Sequence, residues 1–395
     1  MIDIDAVRAG IPALANSVYL NTGTFGPLPT VAADEIRRAY SEVERLGTFS
    51  PPIFAEMELQ GFEAVRGQVA ALLGASPAEV ALTRNVTDGI NIVLHGIDWQ
   101  AGDEVILTDQ EHPAGTVPWL ALAQRAGVVL RWLELSLDSN AVMRRFEALL
   151  TPKTRLAQLS HVSCLTGFRL PVGRLCATAR QAGVLTLIDG AHAEGQFSVD
   201  FQTLGCDFYA ACGHKWLLGP QGVGMVAIRR ELVEMLRPLW LGWDVQQSYD
   251  RGERRYQLQT TAARFEQSTR PWPLYLAFGK SIDFVTRVGL DKIETRVQAL
   301  RSRFVAALSD LPGVTVLSPV AGARGTGLIT VRVEGWSCEA LQERLWKRHR
   351  VITNIIREFN ALRFSIAFFT TEAELELALD AINLAVRGES PKIDT

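Results

Sequence analysis

"VLTLIDGAHAEGQFSVDFQTLGCDFYAACGHKW", residues 184–216, contains two apolar, β-rich runs, and each closes on reactive groups. The first, 184–189, ends on Asp189, followed by Gly190, Ala191 and His192; the second, 207–213, runs into His214 and Lys215. A carboxylate at the end of a buried strand is costly unless a cation or a hydrogen-bond donor meets it. Strand C-termini are also where open α/β sheets bind ligands. Lys215 is one of only six lysines in 395 residues, in a chain whose other basic residues are nearly all arginine. Arginine would serve equally well as a surface charge, so the setting points to an amine wanted because it can lose a proton and react. Taken singly, Asp189 also suits a turn cap, and Lys215 a solvated charge.

Outward from this stretch the texture repeats. "EVALTR" (79–84), "EVILTD" (104–109), "VVLRWLEL" (128–135), "TRLAQLSHV" (154–162) and "VGMVAI" (223–228) are short, β-rich and bounded by turn residues. Helical patterns lie between them at 87–96, 115–127, 140–151 and 172–183. That alternation predicts an α/β fold with a mostly parallel, seven-stranded sheet covered on both faces. Runs 207–213 and 223–228 are too close for an intervening helix, which predicts an antiparallel edge strand there. After about 270, amphipathic helices over 272–310 lead into "GVTVLS", "GLITVRVE", "VITNII" and "LRFSIA", with helices at 337–349 and 371–386. The expected organisation is an N-terminal segment 1–15, a large domain 16–270, a smaller α+β domain 271–388 and a disordered tail 389–395. Helix 30–47 is expected to pack on the smaller domain.

Composition narrows the function classes. A hydrophobic fraction of 48% with 21% charged residues is that of an ordinary globular protein. A net charge of −3 argues against general nucleic-acid binding. "MIDIDAVRAGIPALANS" has neither a basic n-region nor an apolar h-region, and no apolar run nears the roughly 20 residues of a membrane span. A cytoplasmic protein with no membrane contact is expected. The cysteines at 164, 176, 206, 212 and 338 are odd in number, sit in apolar surroundings and form no CxxC pair. They read as reduced thiols, and no metal site is expected.

Two further pieces join the lysine and the aspartate. "TRNVTDGINIV" (83–93) runs from strand to helix with Thr87 at the helix start, where free N–H groups and the helix dipole attract phosphate. Walker spacing is absent, and Thr87 also suits an N-cap. "DQEHPAG" (109–115) puts His112 just after a strand, where an imidazole could stack on a planar ring or simply occupy a loop. An aldehyde-reactive lysine, a pyridinium-binding aspartate, a phosphate-binding helix start and a stacking histidine together describe a pyridoxal 5'-phosphate (PLP) site.

From "VYLNTGTFGPLP" through "DGAH", "GHKW" and "RFEQST" to "ALRFS", the chain resembles fold-type I PLP enzymes of the class V aminotransferase family. Cysteine desulfurases, isopenicillin N epimerases and cysteine/cystine C–S lyases belong to the same group. The resemblance implies that Lys215 carries the cofactor covalently, that Asp189 holds the pyridine nitrogen protonated and that His112 stacks on the ring. His192 is implied to lie near the phenolic oxygen. Val86 (through its N–H), Thr87 and His214 are implied to hold the phosphate. Arg363 would grip the substrate α-carboxylate, a task suited to a bidentate guanidinium, with Asn21 also on the substrate side. Thr269 matches a residue that reaches the neighbouring subunit's phosphate, which implies a homodimer. Cys164 stands where many relatives carry asparagine, and Cys212 replaces a common serine. Desulfurases carry a nucleophilic cysteine shortly before the carboxylate arginine, but "RHRVITNIIREFNALRFS" (348–365) has none, and Cys338 does not match that loop. The expected reaction is C–S β-elimination from a cysteine-like amino acid. An aminotransferase or epimerase acting at the α-carbon is the alternative, and a desulfurase working with an acceptor protein is disfavoured.

Overall fold

The computed structural model describes residues 2–388 except 267, 321 and 323; the tail expected at 389–395 lies outside the described residues. The large sheet has seven strands: β1 (Val80–Thr83), β2 (Glu104–Thr108), β3 (Val129–Leu133), β4 (Thr154–Ser160), β5 (Leu185–Asp189), β6 (Phe208–Cys212) and β7 (Gly224–Ile228), in the order β1-β7-β6-β5-β4-β2-β3. The pairs from β6 through β3 are parallel, whereas β7 is antiparallel to both β6 and β1. The antiparallel strand expected at 223–228 therefore exists but is internal, and β1 forms that edge. The tight connection after β6 dictates a reversal of direction; it leaves open whether another strand adds outside it, and β1 does.

Strand periodicity sends alternate residues to opposite faces. In β6, Tyr209 and Ala211 enter one core while Phe208, Ala210 and Cys212 enter the other. Helices α1 (Thr30–Leu46), α2 (Gly61–Leu73), α3 (Val86–Gly96), α4 (Pro113–Ala126), α5 (Ser139–Leu149) and α6 (Val172–Gln181) follow in chain order. The face bearing Phe208 is covered by α3 and α4, through Ile90, Val93, Trp119 and Leu122. Gly89 lets α3 lie close on the sheet, since a Cβ there would stand 2.9 Å from the Ala210 methyl. Helix α2 has no counterpart among the elements expected from sequence.

The remaining chain forms a four-stranded antiparallel sheet: β8 (Val314–Val316), β9 (Leu328–Val333), β10 (Asn354–Ile356) and β11 (Ala361–Ser365), in the order β8-β9-β11-β10. Its core is shared with α8 (Leu290–Ser309), α9 (Cys338–His349) and α10 (Glu372–Val386). The helix before it, α7 (Trp272–Val288), is separated from α8 at Gly289 and packs along α1 and α2.

The N-terminal segment ties the two sheets together. Val18–Tyr19 pairs in parallel with Val351–Ile352, and the Ser365 N–H donates to the Leu20 carbonyl at 2.8 Å. A few residues on, the Gly26 N–H donates to the His214 carbonyl at 2.8 Å, and a Cβ on Gly26 would collide with the Lys215 carbonyl.

Candidate active site

The C-terminal ends of β1, β2, β4, β5 and β6 open on one edge of the large sheet, where they meet the small sheet around a cavity of about 460 Å³. Its wall includes Val86, Thr87, His112, Asp189, His192, His214, Lys215 and Arg363, so eight of the residues singled out in the sequence come together. Two do not. Asn21 stands one step behind the wall, accepting from the Thr24 hydroxyl at 2.7 Å, and it is Thr24 that reaches Arg363. Thr269 does not line this cavity; it is exposed, in a left-handed conformation (φ 56°), three residues after Glu266 of the buried Glu266–Arg66 ion pair.

Asp189 is buried at the end of β5, with one oxygen accepting the Ala191 N–H at 2.9 Å. Burial pushes its pKa up, opposed by that hydrogen bond and by the Lys215 charge. Lys215 follows β6, and its Nζ lies 3.3 Å from Nε2 of the buried His192. At the start of α3, Asn85 caps the Asp88 N–H at 2.9 Å, and the opening N–H groups of the helix have no upstream turn to bond. His214 stands nearby; its Nδ1 is buried with no partner among the described residues, and burial lowers its pKa to about 4. His112 caps α4 by accepting the Ala114 N–H at Nδ1, at 3.1 Å.

Arg363 on β11 is a buried guanidinium. It donates to the Cys164 carbonyl at 2.7 Å and to the Thr24 hydroxyl at 3.2 Å, while its Nε has no partner among the described residues. Burial lowers its pKa. A buried cation with unused donors facing a cavity is a receptor for an anion.

Glu111 also lines the cavity, and sequence reading missed it. It accepts from the hydroxyls of Thr108 (2.7 Å) and Ser160 (2.6 Å) and from the Ser160 N–H (3.0 Å). Burial first, and the Asp189 charge second, push its pKa up to about 7. Nothing in "DQEHPAG" distinguishes this residue from a solvated loop carboxylate, because its partner Ser160 lies 49 residues on. Burial likewise raises the Cys164 thiol to about 11 and that of Cys212 to about 12, so both are protonated packing groups at neutral pH. The segment Asn354–Glu358, which precedes Arg363 and forms part of the cavity wall, contains no thiol. Cys338, at the start of α9, belongs to the core under the small sheet.

The cavity thus offers an amine, a carboxylate and a helix N-terminus with an orphaned imidazole nitrogen beside it. These three poles fit the aldehyde, the pyridine nitrogen and the phosphate of PLP. No cluster of His, Cys, Asp and Glu among the described residues could hold a metal ion, and no helix of theirs is long and apolar enough to cross a membrane.

Comparison with known proteins agrees with this fit. A family model described as aminotransferase class-V matches residues 18–377. The chain is 34% identical over 385 residues to isopenicillin N epimerase of Streptomyces clavuligerus, covering 94% of this chain and 95% of that protein. It is 33% identical over 338 residues to a cysteine desulfurase of Enterobacter sp. (strain 638), covering 80% of each. Among solved structures, the cystine C-S lyase C-DES with its reaction product cysteine persulfide matches with a TM-score of 0.88 at 31% identity, over 94% of this chain and 99% of that one. A C-DES mutant with glycine covalently linked to its PLP cofactor gives a TM-score of 0.89 at 30% identity, over 95% and 98%.

Proposed function

The chain belongs to the aminotransferase class-V family of fold-type I, PLP-dependent enzymes, and from that premise we propose that it cleaves the C–S bond of a cysteine-like amino acid by β-elimination. The observation that carries this reading is that segment 354–358, the part of the cavity wall shortly before Arg363, has no thiol, while burial holds the thiols of Cys164 and Cys212 protonated. Sulfur must then leave without attack by a protein cysteine. The likeness to a cystine C-S lyase over 94% of the chain supports it.

PLP, when bound, supplies an electron sink for the pair left at the substrate α-carbon. The protein does the rest. Arg363 grips the α-carboxylate, with Thr24 and, behind it, Asn21 holding the guanidinium in place. Lys215 takes the α-proton as general base. Asp189 keeps a proton on the ring nitrogen, an anion buried against a cation. Val86, Thr87 and His214 would hold the phosphate, His112 would cover the ring and His192 would serve its phenolic oxygen. The Cβ–S bond breaks with its electron pair going to sulfur, which leaves as a thiol or persulfide once protonated. The remaining carbon skeleton is hydrolysed to pyruvate and ammonia.

We also assign a large unit at 16–270, a smaller one at 271–388, a cytoplasmic setting and a homodimer in which Thr269 completes the neighbouring site. The position of Thr269 outside its own chain's cavity supports the last of these. A second reading, inversion at the α-carbon, is favoured by the 34% identity to an isopenicillin N epimerase over 94% of the chain.

An amino-acid panel tests these readings. Elimination predicts pyruvate and sulfide from cysteine, or pyruvate and cysteine persulfide from cystine, with no added keto acid. Alanine in place of pyruvate would indicate a desulfurase, inversion without pyruvate an epimerase, and dependence on a keto acid a transaminase.

A further inference from the structure

We propose that Trp216 is a positioning residue, whose indole N–H fixes His192 in the tautomer protonated on Nε2 and so makes His192 a permanent hydrogen-bond donor aimed at the Lys215 nitrogen. The indole Nε1 of Trp216 lies 3.3 Å from Nδ1 of His192, and both side chains are buried. An indole N–H can only donate, so Nδ1 must present its lone pair. A neutral imidazole carries one proton, which is thereby placed on Nε2. That atom lies 3.3 Å from Lys215 Nζ.

The ring has little freedom to escape this arrangement. The His192 carbonyl accepts from Gln196 Nε2 at 2.5 Å, and the Gln196 Oε1 accepts the Gly327 N–H at 2.8 Å. The ring edge at Cε1 faces Gly23, where a Cβ would come within 3.5 Å. A second proton is opposed first by burial of the ring and then by the charges of Lys215, Arg363, His112 and His214.

The consequence concerns what His192 tolerates opposite it. An ammonium is also donor-only, so the Nε2–H···Nζ contact is attractive only when the Lys215 nitrogen presents a lone pair, the form in which it can act as nucleophile or base. The same N–H favours an oxyanion placed there. This second consequence rests on the reading of Lys215 as the cofactor-bearing amine; the tautomer does not.

The first test uses cofactor-free protein labelled with 15N-histidine, in which long-range 1H–15N correlations report which ring nitrogen carries the proton. His192→Gln identifies the signal. The wild type should show His192 as the Nε2–H form from pH 6 to 8. Trp216→Phe should shift both nitrogens towards a tautomer average. So should β-(3-benzothienyl)alanine incorporated at position 216, which keeps the indole shape but lacks the N–H, and which covers the case that the phenylalanine variant fails to fold. An Nδ1–H or doubly protonated His192 in the wild type, or an unchanged tautomer in the isostere, overturns the proposal.

In protein reconstituted with PLP, loss of the donor should raise the pH midpoint of the visible band by about one unit. An unmoved midpoint overturns the coupling to Lys215. If borohydride fixes no cofactor on Lys215, the functional reading fails separately, and the tautomer result stands.

Discussion

Arg363 carries its charge into the interior beside a carbonyl and a hydroxyl, with no carboxylate paired to it among the described residues. A conformation of that kind is held because something else supplies the anion. Arg363→Ala should lower kcat/KM for α-amino acids by about 2–5 kcal/mol, roughly 30- to 4,000-fold, while bound cofactor stays at wild-type occupancy. Cofactor loss in that variant, seen in the visible spectrum, would instead mark the arginine as structural. At this scale the reactive ends of the site were legible in the sequence, because a lysine, an aspartate and histidines gathered at buried strand ends are costly to hold unless a ligand meets them. Their supports were not. Glu111 and Trp216 each adjoin a residue that was singled out, yet their roles depend on Ser160 and His192, which only the folded chain brings within reach.

The strands of the large sheet were legible as apolar runs because all but the edge strand β3 are largely buried on both faces, and each is bounded by turn residues. Two elements went unread: α2, although Phe62, Val65, Val69, Leu72 and Leu73 recur at helical spacing before Gly74, and the hairpin of Gln246–Asp250 and Arg255–Leu258, which has no apolar run. The hairpin is exposed almost throughout and leaves Trp243, Tyr249 and Tyr256 uncovered. If this face seals against a second copy, Tyr256→Glu should yield a monomer in sedimentation and reduce cofactor retention, since Thr269 would no longer reach its partner. A variant that remains dimeric with full cofactor would exclude this face. Helix α3 makes a different demand. Gly89→Ala pushes a methyl towards Ala210, and overpacking of this kind costs about 1–3 kcal/mol. The start of α3 should lift from the sheet, so that denaturant stability falls and the dissociation constant for PLP rises together. A normal cofactor affinity in a destabilised variant would separate this helix from phosphate binding.

Across the whole molecule, buried acids and buried histidines pull the pH of greatest stability in opposite directions. Burial raises Glu194 to about 8 and Glu111 to about 7, so the folded chain favours their protonated forms. The resulting penalty is absent below the ordinary glutamate pKa of 4.5 and grows as pH rises to those values. Burial lowers His161 to about 3, so folding loses stability as pH falls below 6.5, where the unfolded chain would gain a proton. Glu194→Gln should therefore raise Tm over wild type by an amount that widens from pH 5 to 8, and parallel Tm curves would refute the assignment. The N-terminal strap has a consequence of another kind, in the order of biosynthesis. Thr24 and Arg363 are 339 residues apart, and the cavity needs both, along with the Gly26 contact to His214. A nascent chain that has not yet emerged past β11 holds the lysine and the phosphate-binding helix but lacks a closed chamber. Ribosome-stalled chains ending before residue 361 should release PLP on washing, whereas stalled chains with β11 and α10 clear of the exit tunnel should keep it, which would place cofactor capture after the emergence of β11.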